Sequence, residues 1–297
     1  MSERVFEQRQ QAEGWTSAWP LPTAAELQQF YATLYYQDPQ STTYQVAYSD
    51  LDLRYKGLKC AALLHALASQ GLQGGGTFLD IGAGEGFLMD TADRAGYAVT
   101  GLDFSAFAVE KFFPRLQARL VAGDVFETIA RLATEGRRFQ ACSAINVLEH
   151  VLDPVRLLSS LRGILEPNGL LALTVPNDYS RLQALLRAEG RIDRDFWFAP
   201  PQHLHYFNAD NLPKFCASQG YQLVDAFSDF PIDLYLLHPG SNYVKEPANG
   251  PAAHRARMLH DLLVAEAGME PYLGLYRAMF NAGIGRDITV ILRPAAD

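Results

Sequence analysis

FLDIGAGEGFL, residues 78–88, sets Gly82, Gly84 and Gly86 within five positions, directly after an apolar run that carries Asp80. A buried strand that turns sharply into a helix leaves helix-start N–H groups unpaired, and the turn becomes an electropositive concavity for an anionic or polar ligand. Side chains at the three glycines would block a ligand's close approach, and only the small Ala83 separates the first two. The spacing is D-x-G-x-G-x-G. The dinucleotide fingerprint G-x-G-x-x-G places its third glycine one residue later, where this chain has Phe87. Asp80 is a second departure, since a carboxylate there repels a pyrophosphate and welcomes a ligand's ammonium group.

Around this turn, short apolar segments alternate with amphipathic ones. Strands are expected at 77–82, 97–103, 118–121, 139–146 and 170–176, and helices at about 86–95, 105–116, 125–135 and 154–165. The alternation predicts an α/β fold of βαβ units, a parallel sheet covered by helices on both faces. Residues 1–72 read as a helical extension or lid. One helix starts near Thr23, behind Pro20 and Pro22, among Trp15, Trp19, Tyr31, Tyr35, Tyr36, Tyr44 and Tyr48, and another covers about 53–70. The glycines at 71 and 74–76 mark a boundary, after which 73–178 forms the core. Residues 179–297 complete it: a cap inserted at about 178–202, a helix at 209–219 between Asn208 and Gly220, and a strand at 221–228. A proline-bearing loop at 238–252, a helical region at 253–281 and the strand RDITVILRP follow.

The chain has 297 residues, 48% of them hydrophobic, and a formal charge of −8. The acidic balance argues against a surface built to neutralise phosphate backbones, so nucleic acid is not an expected partner. Cys60, Cys142 and Cys216 are far apart in the sequence and show no C-x-x-C spacing, so neither a disulfide framework nor a thiolate zinc site is suggested, and a reducing cytoplasm fits best. The charged start MSERVFEQRQQAEGW lacks an apolar targeting region, and no stretch reaches the roughly 20 apolar residues of a membrane span.

The residues from Asp80 to Gly86 resemble the first motif of the class I S-adenosylmethionine (SAM)-dependent methyltransferases, and four more stations follow in order over residues 75–180. In VTGLDFS, Asp103 ends the second strand, where the resemblance implies an acid holding both ribose hydroxyls, with Phe104 and Ser105 beside it. In VAGDVF, Asp124 follows the third strand, where the resemblance implies a residue facing the adenine amino group, with Val125 and Phe126 beside the ring. INVLEHVLDP resembles the D-V-L-E-H stretch, with Asn146 where aspartate is common, and LEPNGLLALTVPN resembles the turn into the fifth strand. The family fold implied is a Rossmann-like, doubly wound, mostly parallel seven-stranded sheet whose last strand is antiparallel. SAM is the implied cofactor, leaving as S-adenosylhomocysteine.

Several of these residues carry a second reading. Asp103 and Ser105 also suit a helix N-cap, and Asp124 suits a cap on the helix that follows it. Glu149 and His150 lie at the carboxyl end of the fourth strand, where open α/β sheets place ligands, yet a histidine there can simply satisfy backbone groups. In PPQHLHYF, His203 and His205 would point to one face of an extended segment, a spacing that can hold a metal, but no third ligand stands out nearby and none is expected. His205, a second catalytic candidate beside His150, is expected to help line the acceptor pocket, with His203 after it and Tyr206 and Trp197 as apolar wall. Arg194, with Arg187 and Arg191, forms a basic patch suited to an anionic acceptor or to plain solvation.

Methyl transfer from a sulfonium is mainly a positioning task, and a hydroxyl acceptor adds the need for a base, for which His150 is the candidate. The implied acceptor is a small molecule: a sugar, nucleotide sugar, glycan precursor or natural product. Two other classes stay open, a SAM-fold scaffold without turnover and an NAD-dependent oxidoreductase, the latter opposed by the glycine register. The aromatic-rich N-terminal arm is compatible with a homodimer contact.

Overall fold

The computed structural model describes residues 5–30 and 47–295, so Tyr31, Tyr35, Tyr36 and Tyr44 lie outside the described residues. The chain opens with a hairpin, β1 (Glu7–Gln10) and β2 (Thr16–Trp19), around Gly14 at φ +85°. The sequence gives no sign of it, because EQRQ is polar and exposed throughout and lacks the alternation of a half-buried strand. The helix expected near Thr23 is α1 (Ala24–Phe30), capped reciprocally: Glu26 N–H donates to Thr23 Oγ1 at 3.2 Å, and Thr23 N–H to Glu26 Oε2 at 2.7 Å. A second capping box, Ser49 with Asp52, starts α2 (Asp50–Ser69) ahead of the expected position.

The core then alternates: β3 (Thr77–Ile81), α3 (Phe87–Arg94), β4 (Ala98–Asp103), α4 (Phe107–Phe112), β5 (Leu120–Ala122), α5 (Val125–Thr134), β6 (Phe139–Ile145), α6 (Pro154–Ile164) and β7 (Leu165–Pro176). α4 stops short of the expected 116 because Pro114 forces Phe113 out of helical backbone, to φ −138°. Next come α7 (Arg181–Ala188), β8 (His205–Tyr206), α8 (Leu212–Ser218), β9 (Tyr221–Ser228), α9 (Gly250–Ala265), α10 (Met269–Asn281) and β10 (Asp287–Pro294). Asn208 caps the turn ahead of α8, its Oδ1 accepting from the amides of Asp210 at 3.0 Å and Asn211 at 3.1 Å. The helical stretch expected over 253–281 is divided at Gly268, whose φ of +105° no helix accommodates.

Among the described residues the main sheet has seven strands in the order β5-β4-β3-β6-β7-β10-β9. Neighbours from β5 to β7 are parallel, and β10 runs antiparallel to both β7 and β9. This is the α/β, Rossmann-like, doubly wound sheet with a reversed last strand. Alternate residues of β3 feed both cores: Phe78 packs with Leu67, Met89 and Tyr276, while Leu79 and Ile81 pack with Phe139, Leu157 and Leu161. Strand order reverses between β3 and β6, and ligands of such sheets sit beyond the carboxyl ends at that point. A smaller sheet, β1-β2-β8, joins the N-terminal hairpin to the segment behind the insertion. Among the described residues no helix is long and apolar enough to cross a membrane.

Candidate active site

The glycine turn has the backbone that its sequence requires. Gly82, Gly84 and Gly86 have φ of +69°, +55° and +88°, the left-handed region that disfavours side chains. A Cβ on Gly82 would also stand 2.4 Å from Val147 Cγ2. The amides of Gly82 and Ala83 both donate to Leu102 O, at 2.8 and 2.9 Å, which pins the turn to β4.

A cavity of about 960 Å³ opens at the strand ends. Gly82, Gly84, Asp103 and Phe104 line one side, Asp124, Val125 and Phe126 another, and Asn146 and His150 the end of β6. Asp103 accepts from Gly84 N–H at 2.8 Å and from Ser105 N–H at 3.0 Å, so it braces the turn as well as facing the cavity. Ser105 serves as a cap, accepting from Phe107 N–H at 3.2 Å. Asp124 Oδ1 caps α5 through the amides of Phe126 and Glu127, both at 2.9 Å, so its capping role is realised within the cavity wall. Asn146 is held at φ +53°, strain of the kind that collects at functional sites.

Other sequence candidates stand behind this lining. Asp80 is buried against the Ser143 hydroxyl at 2.7 Å, and burial, with Asp103 nearby, raises its carboxyl to about 7 despite that bond. Phe87 packs with Tyr48, Phe112 and Phe113. Residues that the sequence did not single out also reach the cavity: Ala24 and Leu27 of the extension, Glu85 inside the motif, and Arg156, whose guanidinium lies 4.7 Å from the Phe126 ring. Only Glu85 carried a legible signal, its place between two glycines.

Beside the cavity, Glu149, His150 and His203 converge, one ligating atom of each lying within 4.8 Å of the others. His150 Nδ1 donates to Gln202 O at 2.6 Å, so Nε2 carries the lone pair, 3.7 Å from Glu149 Oε1. The His150 and His203 rings meet edge to face at 4.8 Å. Both oxygens of Glu149, which is 1% exposed, and Nδ1 of His203 are buried without a hydrogen-bond partner among the described residues. Burial pushes the Glu149 carboxyl well above the usual range and pulls the His150 and His203 imidazoles down to about 4 and about 3. Two imidazoles and a carboxylate form a donor set for a divalent cation with open positions. The spacing of His203 and His205 had drawn attention to the wrong pair, since His203 finds its neighbours across the fold.

His205 does not join them. Its Nδ1 meets Ser17 Oγ at 3.1 Å and its Nε2 meets Val151 O at 2.9 Å, which corrects the expectation of an acceptor-facing or catalytic group. Both nitrogens serve to fasten β2 and β8 to the loop after β6. Tyr206 is buried, its hydroxyl donating to His203 O at 2.6 Å, and buried Trp197 packs with Tyr179. Neither they nor exposed Arg194 line the cavity, and Arg187 pairs with Asp195 at 3.5 Å, so the basic patch is largely solvated.

A glycine turn, an acid closing the second strand and a capped acid after the third, around one cavity at the switch point, define a nucleoside-binding site of the class I SAM-dependent methyltransferase kind. Residues 53–226 match the family model described as a methyltransferase domain, and the chain belongs to that family, with SAM as its cofactor. It is 31% identical over 152 residues to the ubiquinone biosynthesis O-methyltransferase of Histophilus somni, covering 45% of this chain and 63% of that one. It is 35% identical over 114 residues to the mitochondrial ubiquinone biosynthesis O-methyltransferase of Arabidopsis thaliana, covering 36% of this chain and 34% of that one. The chain thus spans less than two thirds of these relatives. A Burkholderia thailandensis 1,6-didemethyltoxoflavin-N1-methyltransferase, solved with bound S-adenosylhomocysteine, superposes with a TM-score of 0.52 at 16% identity, over 98% of this chain and all of that one, which supports the fold.

Proposed function

We propose that this chain transfers the methyl group of SAM to a hydroxyl of a small-molecule acceptor, such as a sugar, nucleotide sugar, glycan precursor or natural product. The observation that carries the reading is His150, which lines the cavity and whose Nδ1 donates to Gln202 O, so that Nε2 is the basic nitrogen and the one suited to take the hydroxyl proton. The two ubiquinone biosynthesis relatives named above are O-methyltransferases by name, which favours oxygen as the receiving atom, although the Burkholderia thailandensis neighbour is an N-methyltransferase by name. The test is transfer from isotope-labelled SAM across a panel of sugars, nucleotide sugars and phenols. No labelled product from any of them, with SAM bound, would move the scaffold reading forward.

The unpartnered oxygens of Glu149 favour a second arrangement at the same place. A divalent cation held by Glu149, His150 and His203 would satisfy these atoms and bind the acceptor hydroxyl, lowering its pKa so that no side-chain base is needed. Homodimer formation through the N-terminal arm and a cytoplasmic location remain proposals, tested by light scattering and by fractionation.

A further inference from the structure

The cavity is poor in positive charge where the amino-acid end of SAM must lie. Adenine belongs beside Phe126 and ribose beside Asp103, so the methionine arm runs toward the glycine turn. Among the described residues lining the cavity, the arginine or lysine is Arg156, at the Phe126 end. The turn itself carries Glu85, between Gly84 and Gly86, in the cavity lining, with Asp80 buried behind it in β3. An α-carboxylate placed there would be repelled unless a cation is brought in from outside the lining.

α2 supplies one. Lys56 Nζ lies 3.0 Å from Glu85 Oε2, and the Tyr48 hydroxyl donates to Glu85 Oε1. The ammonium is also 4.5 Å from the Tyr48 ring centroid and 5.0 Å from that of Phe87, positions that hold it over the turn. Tyr48 in turn packs on Phe87 and Phe112, with centroids at 5.7 and 5.4 Å. Lys56 is about a third exposed at the side chain while Glu85 is 9% exposed, so the cation stands on the open side of a largely buried carboxylate. Lys111, exposed on α4, is the other cation acting on Glu85.

We infer that the Lys56–Glu85 ion pair clamps the zwitterionic end of SAM, with Lys56 taking its carboxylate and Glu85 its ammonium. Two opposed charges side by side are complementary to a ligand that carries the same two charges in reverse order, and the ligand's ammonium would favour the ionised form of Glu85, whose carboxyl burial raises to about 7. The inference rests on the reading that SAM occupies this cavity with its ribose at Asp103, and it makes α2, outside the glycine motif, a part of cofactor selection.

Calorimetric titration of the full chain with two ligands separates the possibilities: S-adenosylhomocysteine, which has the amino-acid arm, and 5′-methylthioadenosine, which lacks it. Lys56→Met is expected to weaken S-adenosylhomocysteine roughly tenfold to a hundredfold, as loss of a charge-assisted bond implies, and to leave methylthioadenosine within about twofold. Lys56→Arg should keep most of the affinity. Parallel loss of both ligands, unchanged S-adenosylhomocysteine binding, or selective loss in Lys111→Met with none in Lys56→Met would overturn the clamp. Failure of the wild-type chain to bind either ligand would instead strike the cofactor reading, and the clamp with it.

Discussion

Asp103 Oδ2 accepts a hydrogen bond from the N–H of Gly84 at 2.8 Å, so the acid that closes the second strand also holds the glycine turn in shape. In the proposed site, one carboxylate would thereby couple ribose recognition to the backbone of the glycine turn. Asp103→Ala should cost roughly 2–3 kcal/mol of SAM affinity and lower the melting temperature as well, because a charge-assisted bond inside the fold is lost with the ligand contact. Calorimetry and thermal melts on one preparation check both, and unchanged affinity would remove Asp103 from the site.

His150→Ala should leave S-adenosylhomocysteine affinity near wild type and reduce turnover on a hydroxyl acceptor by roughly a hundredfold or more. Burial draws this imidazole down to about 4 in the fold, so it is already neutral at pH 6. The kcat/KM profile should therefore show no acid limb at the ordinary histidine value near 6.5. A limb at 6.5 that vanishes in the mutant would show that substrate-free His150 is better solvated than this fold describes.

In the alternative arrangement, where His150 ligates a cation instead of acting as a base, dialysis of the protein against Zn²⁺ or Mn²⁺ should leave about one ion per chain, held by the two imidazoles and the carboxylate. Glu149→Gln and His203→Ala should each lose it, and chelation should depress turnover in the wild type alone. An ion retained by both variants would sit elsewhere.

Asp80 makes the stability of the ligand-free protein fall as pH rises. Its carboxyl is raised to about 7 in the fold, above its ordinary 3.8, so the folded chain keeps a proton that the unfolded chain releases. The associated stabilisation is fully present below pH 4 and is lost as pH rises through 7, on the order of 4 kcal/mol. Urea midpoints of wild type and Asp80→Asn between pH 5 and 8 should diverge accordingly, with the mutant the flatter. Parallel curves would assign the slope to other groups.

His205→Ala should destabilise the chain by about 2–4 kcal/mol, since it removes two buried hydrogen bonds and the edge contact to Trp15 at 5.0 Å. S-adenosylhomocysteine affinity should be unaffected. A large drop in cofactor binding without loss of stability would return this histidine to the site.

The lining of the cavity at the strand ends was legible because it is local. The glycine register, Asp103 and Asp124 each sit at a strand end, and strand ends can be read from apolar runs and the residues that break them. Roles that depend on packing were not legible. His203 and His205 share a face in the sequence pattern, but β8 pairs with a hairpin that no periodicity announces, and this pairing consumes His205. Glu149 and His150 read as one short motif, whereas their partner His203 arrives from beyond the insertion. Lys56 sits in a helix whose apolar spacing indicated only packing, and its bond to Glu85 joins positions far apart in the sequence.

The three-stranded sheet formed by the hairpin and β8 bears on any attempt to redesign this protein. Residues 16–17 of β2 and 205–206 of β8 are neighbours in one ladder, so the start of the chain and the end of the inserted cap behave as a single exchangeable part. A chimera that grafts the cap of another methyltransferase onto this core must bring its own matching leader, or leave a row of peptide groups with nothing to bond to.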